Sequence, residues 1–326
     1  MSRPFFRHPL LQLLVRRVLL GLFSLLLVSI VVFAATQMLP GDAARAVIGR
    51  GGSPDHLEAL RHQLHLDLPA VTQYRLWLGG FLSGDAGTSL VNGRPVIESI
   101  AVRLVNSFTL LVLVLLIGIP LAIGLGIVAA VRRNTALDTV SSVVALALAA
   151  IPEFVIGIAL IVFFATVVLH WLPPVSMVRP GTSVFARPLN LVLPVATLII
   201  AIFPYSFRMI RASMIDVLDS EYIEMATLKG LSRRRIVLLH ALPNAIAPTI
   251  QAIALTCGYL AGGCVVVEFV FGFPGIGQGL VNAVLARDIP YIQCTVLLLA
   301  AFYVVVNLLA DLVAILVTPK LRSAVS

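Results

Sequence analysis

Long apolar runs recur along this chain, separated by polar segments of very unequal length. Stretches with little or no charge cover Val18 to Leu39, Leu104 to Val131, Pro188 to Phe207, Ala241 to Val267 and Ile292 to Ala310, the last continuing past Asp311 to Val317. A helix rises 1.5 Å per residue, so about 20 residues match a hydrocarbon core roughly 30 Å thick. Lipid offers no partner to an unpaired backbone group, and the runs therefore predict helices. A further run, Thr139 to Leu169, is interrupted by Pro152 and Glu153 and predicts a kinked helix or two half-spans. The expected fold class is an all-α integral membrane protein with six transmembrane helices.

Composition agrees with this reading. The chain has 326 residues, of which 60% are hydrophobic and 12% charged. Its mean hydropathy is +1.04, and no soluble core absorbs so much apolar surface. The first run opens behind Arg16 and Arg17 as a signal peptide does, but its length exceeds the usual apolar region of one, and no small-x-small cleavage site stands clearly at its end. It reads as a retained first span. Cys257, Cys264 and Cys294 lie in or beside the last two spans without CxxC spacing or a nearby histidine, and read as small packing residues.

The placement of Lys and Arg sets the orientation. With a cytosolic N-terminus, the inner segments hold Arg3, Arg7, Arg16, Arg17, Arg132, Arg133, Arg208, Arg211, Lys229, Arg233, Arg234, Arg235, Lys320 and Arg322, fourteen of the 23 basic residues. Both termini are then expected in the cytosol. The chain divides into a cytosolic segment 1–17, a first span 18–39, an extracytoplasmic segment 40–103, a transmembrane core 104–317 containing a cytosolic loop 208–243, and a cytosolic tail 318–326. The net charge of +8 is accounted for by topology and lipid headgroups, which removes the case for nucleic acid as a partner.

Segment 40–103 is too long for a turn. Ser53, Pro54 and Asp55 precede Leu57, Leu60 and Leu64 at helical spacing over 56–66, and Tyr74, Trp77, Leu78 and Phe81 mark a second short helix over 71–82. The aromatic positions suit a membrane interface. A Gly-rich turn follows at Ser83 to Ser89.

The second polar anomaly is Glu221 to Pro243. Asp219 and Ser220 stand where an N-cap belongs, Glu221 places negative charge in a first turn, and Gly230 stands where a helix ends. A helix of about ten residues is predicted, with Tyr222, Met225, Ala226 and Lys229 along one face. Leu231 and Ser232 turn the chain, and Arg233 to Leu242 starts a helix that runs into the fifth span. So short a helix is marginal in water and must pack on something, either a partner protein or the membrane surface.

Catalytic signatures are absent: the chain has no Walker A loop, no HExxH and no GxSxG. Gly275-Ile276-Gly277-Gln278-Gly279 follows a span and Pro274 with no strand before it, and is expected to be a tight turn at the outer membrane face. No catalytic or metal-ligating residue is assigned. Within the membrane, Glu153, Glu268 and Asp311 are the residues to weigh, because a carboxylate at mid-span costs roughly 2.5 to 3.5 kcal/mol and faces a partner or water. Glu153 is the strongest pathway candidate. Glu268 also suits an interfacial acid, and Asp311 a partner for an inner arginine. Gly258, Gly262 and Gly263 allow close approach of a helix or a solute.

Glu224-Met225-Ala226, three residues, Gly230, nine residues and then His240-Ala241-Leu242-Pro243 resemble the EAA loop of bacterial ABC importer permeases. Met225 departs from the usual first alanine and His240 from the usual isoleucine. Leu39-Pro40-Gly41-Asp42, Leu64 to Pro69 with Gln73-Tyr74 following, Gly84 to Ser89, Arg211-Ala212-Ser213-Met214, Glu268 with Phe271, Pro274 to Gly277, Arg287-Asp288-Ile289-Pro290, and Asn307 with Asp311 resemble the first permease subunit of the dipeptide, oligopeptide and nickel branch. The resemblance runs from about Arg16 to Arg322.

It implies a type I importer permease in the bacterial cytoplasmic membrane, paired with a homologous second permease, two cytosolic ATPases and an extracytoplasmic substrate-binding protein. ATP and magnesium would belong to the ATPase subunits, with no cofactor in this chain. Glu221, Tyr222, Glu224, Met225, Ala226, Lys229, Gly230, Leu231 and Ser232 would form the coupling helix and its turn, and Glu153, Gly258, Gly262, Glu268 and Asp311 are candidate pathway residues. Di- and oligopeptides, glutathione, nickel chelates and opines are all substrates that fit the family. A proton-coupled transporter with Glu153 or Asp311 as relay is the reading from another class.

Overall fold

The computed structural model describes residues 9–38, 58, 61, 67–178 and 182–317, with side chains left out at 9–14, 247, 248, 250–252, 254, 255, 261, 310, 311 and 313–317. The described chain forms α1 (Pro9–Gln37), α2 (Ala70–Leu82), α3 (Val96–Val131), α4 (Ala136–Ala149), α5 (Glu153–Ile161), α6 (Leu189–Leu218), α7 (Glu221–Leu228), α8 (Arg233–Arg235), α9 (Leu242–Phe271), α10 (Ile276–Ala286) and α11 (Ile289–Val317). Wider π turns follow α5 over Val162–Thr166 and link α8 to α9 over Ile236–Ala241. Among the described residues, four helices are long and apolar enough to cross a membrane, or up to six if each of two bent pairs is one span. Of the helix expected over 56–66 only residues 58 and 61 are described, and the terminal segments 1–8 and 318–326 lie outside the described residues.

Contacts divide the described residues into two units, one drawn from 9–13, 108–273 and 305–317, the other from 14–107 and 274–304. In the first unit, α6 and α9 pack around Leu193, Leu198, Ile202, Leu260, Val267 and Phe271, all buried. Helices in lipid associate by close packing, since lipid tails are as apolar as leucine. Small residues supply the closeness here. A Cβ on Gly126 of α3 would stand 2.2 Å from Ile210 Cγ2 and 3.1 Å from the Phe207 carbonyl of α6. The expected kink at Pro152 is a full break: α4 and the helical run Glu153–Thr166 are bent by 103°. Proline disfavours helical geometry at Ile151 and offers no N–H, so α4 stops and α5 restarts with Pro152 as its extended N-cap.

In the second unit, α2 lies on α1. Phe33 contacts both Tyr74 and Trp77, with ring centroids 5.4 and 5.9 Å away, and the Ser29 and Tyr74 hydroxyls share a 2.8 Å hydrogen bond. The outer loop that follows is latched to the start of α11. Ser89 Oγ donates to Asp288 Oδ2, the Leu90 N–H donates to Oδ1 at 3.1 Å, and Ser89 and Asp288 are both buried. Two sequence motifs some 200 positions apart thus meet on one carboxylate.

Gly275 to Gly279 is not the tight turn expected. Gly275 is the N-cap of the eleven-residue α10. Arg103 Nη1 donates to the Gly275 carbonyl and to Gln278 Oε1, both at 3.2 Å, Asn106 Nδ2 donates to the Pro274 carbonyl at 2.9 Å, and the Ile276 N–H donates to Ser107 Oγ at 2.8 Å. The end of α10 has Arg287 in the left-handed region at φ 58°, with the Asp288 N–H closing on the Ala283 carbonyl at 2.9 Å. This capping turn presents Asp288 to the loop.

Candidate functional site

The polar insert folds as its capping grammar requires. Ser220 takes the extended N-cap conformation, and Glu221 and Glu224 both fall in the first turn of α7, where the helix dipole favours negative charge. The Ser220 hydroxyl does not cap but donates to the Val217 carbonyl. At the other end Gly230 has φ +77°, its N–H reaches the Thr227 carbonyl at 2.9 Å, and the Leu231 N–H reaches the Ala226 carbonyl at 3.3 Å. These two bonds make a Schellman motif, with Ala226 and Leu231 packed on the same cluster. Ser232 is the N-cap of α8 and accepts the Ile236 N–H at 3.0 Å.

Ile223 is the buried residue of α7. Ile223 is buried among Ala130 of α3, Ile210 and Met214 of α6, and Ile236, Val237, Ala241 and Ala245. The opposite side shows Tyr222, Met225 and Leu228, exposed at 45%, 55% and 75%, with Lys229 beside them. The face expected from sequence is therefore corrected. Ala226 belongs to the inner side with Ile223, and Leu228 joins Tyr222 and Met225 on the outer side. Ile223 and Leu228 follow from the same helical spacing once the buried side is known.

Further bonds fix the ends of the insert. The Tyr222 hydroxyl donates to the His240 carbonyl at 3.3 Å and accepts from Asn244 Nδ2 at 3.1 Å, while Asn244 Nδ2 also reaches the His240 carbonyl at 2.8 Å. Pro243 has no N–H for the carbonyl four residues back, and the π turn over Ile236–Ala241 precedes it. Arg233 Nη2 donates to the Val131 carbonyl at 2.7 Å, satisfying the C-terminal end of α3. Arg211 of α6 grips Asp138 of α4 with two bonds, Nε to Oδ1 at 2.5 Å and Nη2 to Oδ2 at 2.8 Å. Ser213 Oγ donates to the Ala245 carbonyl at 2.9 Å. Arg211-Ala212-Ser213-Met214 is thus a joint between α6, α4 and α9, and Met214 is fully buried beneath it.

Within the helical bundle, Glu153 opens α5 and its Oε2 accepts from the Tyr259 hydroxyl of α9 at 3.0 Å. Gly263 stands beside the carboxylate, its Cβ position 3.5 Å from Oε1, and nothing lies within 4 Å of a Cβ on the exposed Gly262. Tyr259 also forms the wall of an open-sided cavity of about 440 Å³, with Ala149, Ile202, Tyr205 and Thr256 among its other residues. Gly258 is half-buried on the same helix. Glu268, by contrast, is 1% exposed, accepts from Cys264 Sγ at 3.2 Å and is not on the wall of this cavity. Asp311 lies in α11, with its side chain outside the described residues.

The surface helix, the joint beneath it and the broken apolar helix accompany a sequence match over most of the chain. Residues 122–323 match the model of the binding-protein-dependent transport system inner membrane component, and residues 10–111 match the N-terminal region of such membrane components. The chain belongs to this transport family. A glutathione transport system permease protein of Pectobacterium atrosepticum is 38% identical over 305 residues, covering 93% of this chain and 97% of that protein. Its namesake from Escherichia coli strain K12 is 37% identical over the same length and coverage. A Brucella abortus protein, provisionally named as a peptide transport system permease, is 35% identical over 310 residues, 95% of this chain and 98% of that protein. The family is that of ABC transporter permease subunits, which are non-catalytic components of multi-subunit systems. As a member, this chain is a multi-pass membrane permease, and α7 with its turn lies within the matched region.

Proposed function

We propose that this chain is one transmembrane half of an ATP-driven importer for short peptides, glutathione-like peptides included, in a bacterial cytoplasmic membrane. It spans the membrane six times with both termini in the cytosol, pairs with a homologous permease and receives solute from an extracytoplasmic binding protein. The names of the relatives support the substrate class. The observation that supports the coupling role is the contrast between the two sides of α7, one packed and one exposed. Ile223 anchors the helix to the ends of α3, α6 and α9, while Met225 and Leu228 are left exposed on the side that the charge pattern assigns to the cytosol. A helix so backed moves as a body with the spans beneath it, and eight residues give a lever of about 12 Å.

The test is substrate-stimulated ATP hydrolysis by the complex reconstituted in liposomes. Burying one leucine contributes about 1.5–3 kcal/mol, and each 1.4 kcal/mol is a factor of ten. Leu228→Glu and Glu224→Lys are therefore expected to lower stimulated hydrolysis at least about tenfold while the chain still inserts. Unchanged stimulation in both variants removes α7 from the coupling route. Uptake that survives a dead ATPase but stops with a protonophore overturns the ATP-driven reading.

A further inference from the structure

We propose that the cavity bounded by Tyr205, Thr256 and Tyr259 receives the free ammonium group of the transported solute, with the Glu153 carboxylate as its counter-ion. This rests on the transport reading above and names the chemistry selected inside the permease.

Glu153 places a half-buried carboxyl group at the start of α5 and has a hydroxyl as its partner. No cation among the described residues pairs with it. Elsewhere Arg133 pairs with Asp219 and Arg211 with Asp138. A membrane carboxylate left in that state is costly and calls for a mobile partner or water. The cavity stands one hydrogen bond away, since the Tyr259 hydroxyl that holds Glu153 belongs to its wall. At about 440 Å³ it lies within the range of small-solute sites.

Among the described residues the wall carries no charged side chain, and Glu153, bonded to Tyr259 just outside it, is the charge nearest at hand. Tyr205 and Tyr259 are 46% and 56% exposed, and aromatic faces attract cations. Gly263, beside the carboxylate, puts no side chain over it. An ammonium entering the cavity supplies the missing positive charge, donates to the carboxylate and lies against the ring faces. A solute with that amine blocked gains neither.

The test is equilibrium binding to the assembled complex in nanodiscs, without its binding protein, using radiolabelled dialanine and N-acetyl-dialanine. The wild type is expected to hold dialanine about tenfold more tightly, the equivalent of ~1.4 kcal/mol. In Glu153→Gln the ratio falls to about one by loss of dialanine affinity alone, and Tyr259→Phe, which keeps the ring and drops the hydroxyl, lowers it part-way. Equal binding of the two probes by the wild type, no binding of either, or an unchanged ratio in both variants overturns the site. ATP-independent uptake by the same complex in proteoliposomes, with amine discrimination in the nanodisc assay intact, overturns the transport reading and leaves the site standing.

Discussion

Replacing Arg211 with methionine is expected to cost about 3 kcal/mol of stability, because it strands a buried charge. The Asp138 side chain is 5% exposed and takes bonds of 2.5 and 2.8 Å from Arg211 and one of 3.1 Å from the Asn134 N–H. Without the guanidinium, the carboxylate keeps only neutral donors, the Asn134 N–H and the nearby Ser142 hydroxyl. Removing one member of a buried pair costs about 3–5 kcal/mol, and the 28% exposure of Arg211 lets in enough water to favour the lower end. Methionine keeps much of the aliphatic volume, so the loss reports the charge. Asp138→Asn removes the anion and leaves a cation that reaches water, at about 1–2 kcal/mol. The double variant leaves no orphaned charge and is expected to cost about 2 kcal/mol, well under the sum of the two single changes. Unfolding free energies of all four proteins in mixed micelles give the cycle. If the single losses add to the double within about 0.5 kcal/mol, the pair is not coupled and the joint is misread.

Two positions on α3 form an internal comparison. Gly126→Ala drives a methyl into Ile210 and the Phe207 carbonyl and is expected to cost about 1–3 kcal/mol, whereas Gly124→Ala meets nothing within 4 Å and leaves the thermal midpoint unchanged or raised. Equal shifts in the two variants refute the close approach of α3 to α6. At the outer face, Asp288→Ala releases Ser89 and the Leu90 N–H, and limited proteolysis within residues 84–95 is expected to quicken. An unchanged cleavage rate refutes the latch.

Local grammar carried the sequence reading where water, charge and capping residues speak. Helix α2 starts one residue from its expected bound, and α7 is framed by the Ser220 and Gly230 that marked it. The break at Pro152 was legible because proline acts on the backbone whatever surrounds it. Side chains on the outside of the helices and those packed between them are alike apolar, so the sequence could not rank faces. That is why Ile223 as an anchor, Leu228 as an exposed residue and the burial of Glu268 emerge only from packing. Gly275 to Gly279 misled for a different reason. Three glycines in five residues read as a turn, but Gly279 is small because a Cβ there would stand 2.4 Å from the Tyr291 hydroxyl and 2.9 Å from Arg103 Cδ. The glycine is demanded by neighbours distant in sequence, which local pattern does not report.

The π turn between α8 and α9 sets a phase. Each wide turn holds more residues than an α turn, and one residue is worth about 100° of rotation in an α-helix. The three exposed arginines of α8 are therefore offset from the face that a straight helix read backwards from Leu242 would assign them. Ile236, Val237 and Ala241 nevertheless all point inward. Deleting one residue inside Ile236–Ala241 would let the backbone relax to α geometry and swing the basic turn around the axis of α9, with the chemistry of every side chain intact. Alignments that treat this stretch as regular helix misassign its faces by one step, and length here is as much a specification as residue type.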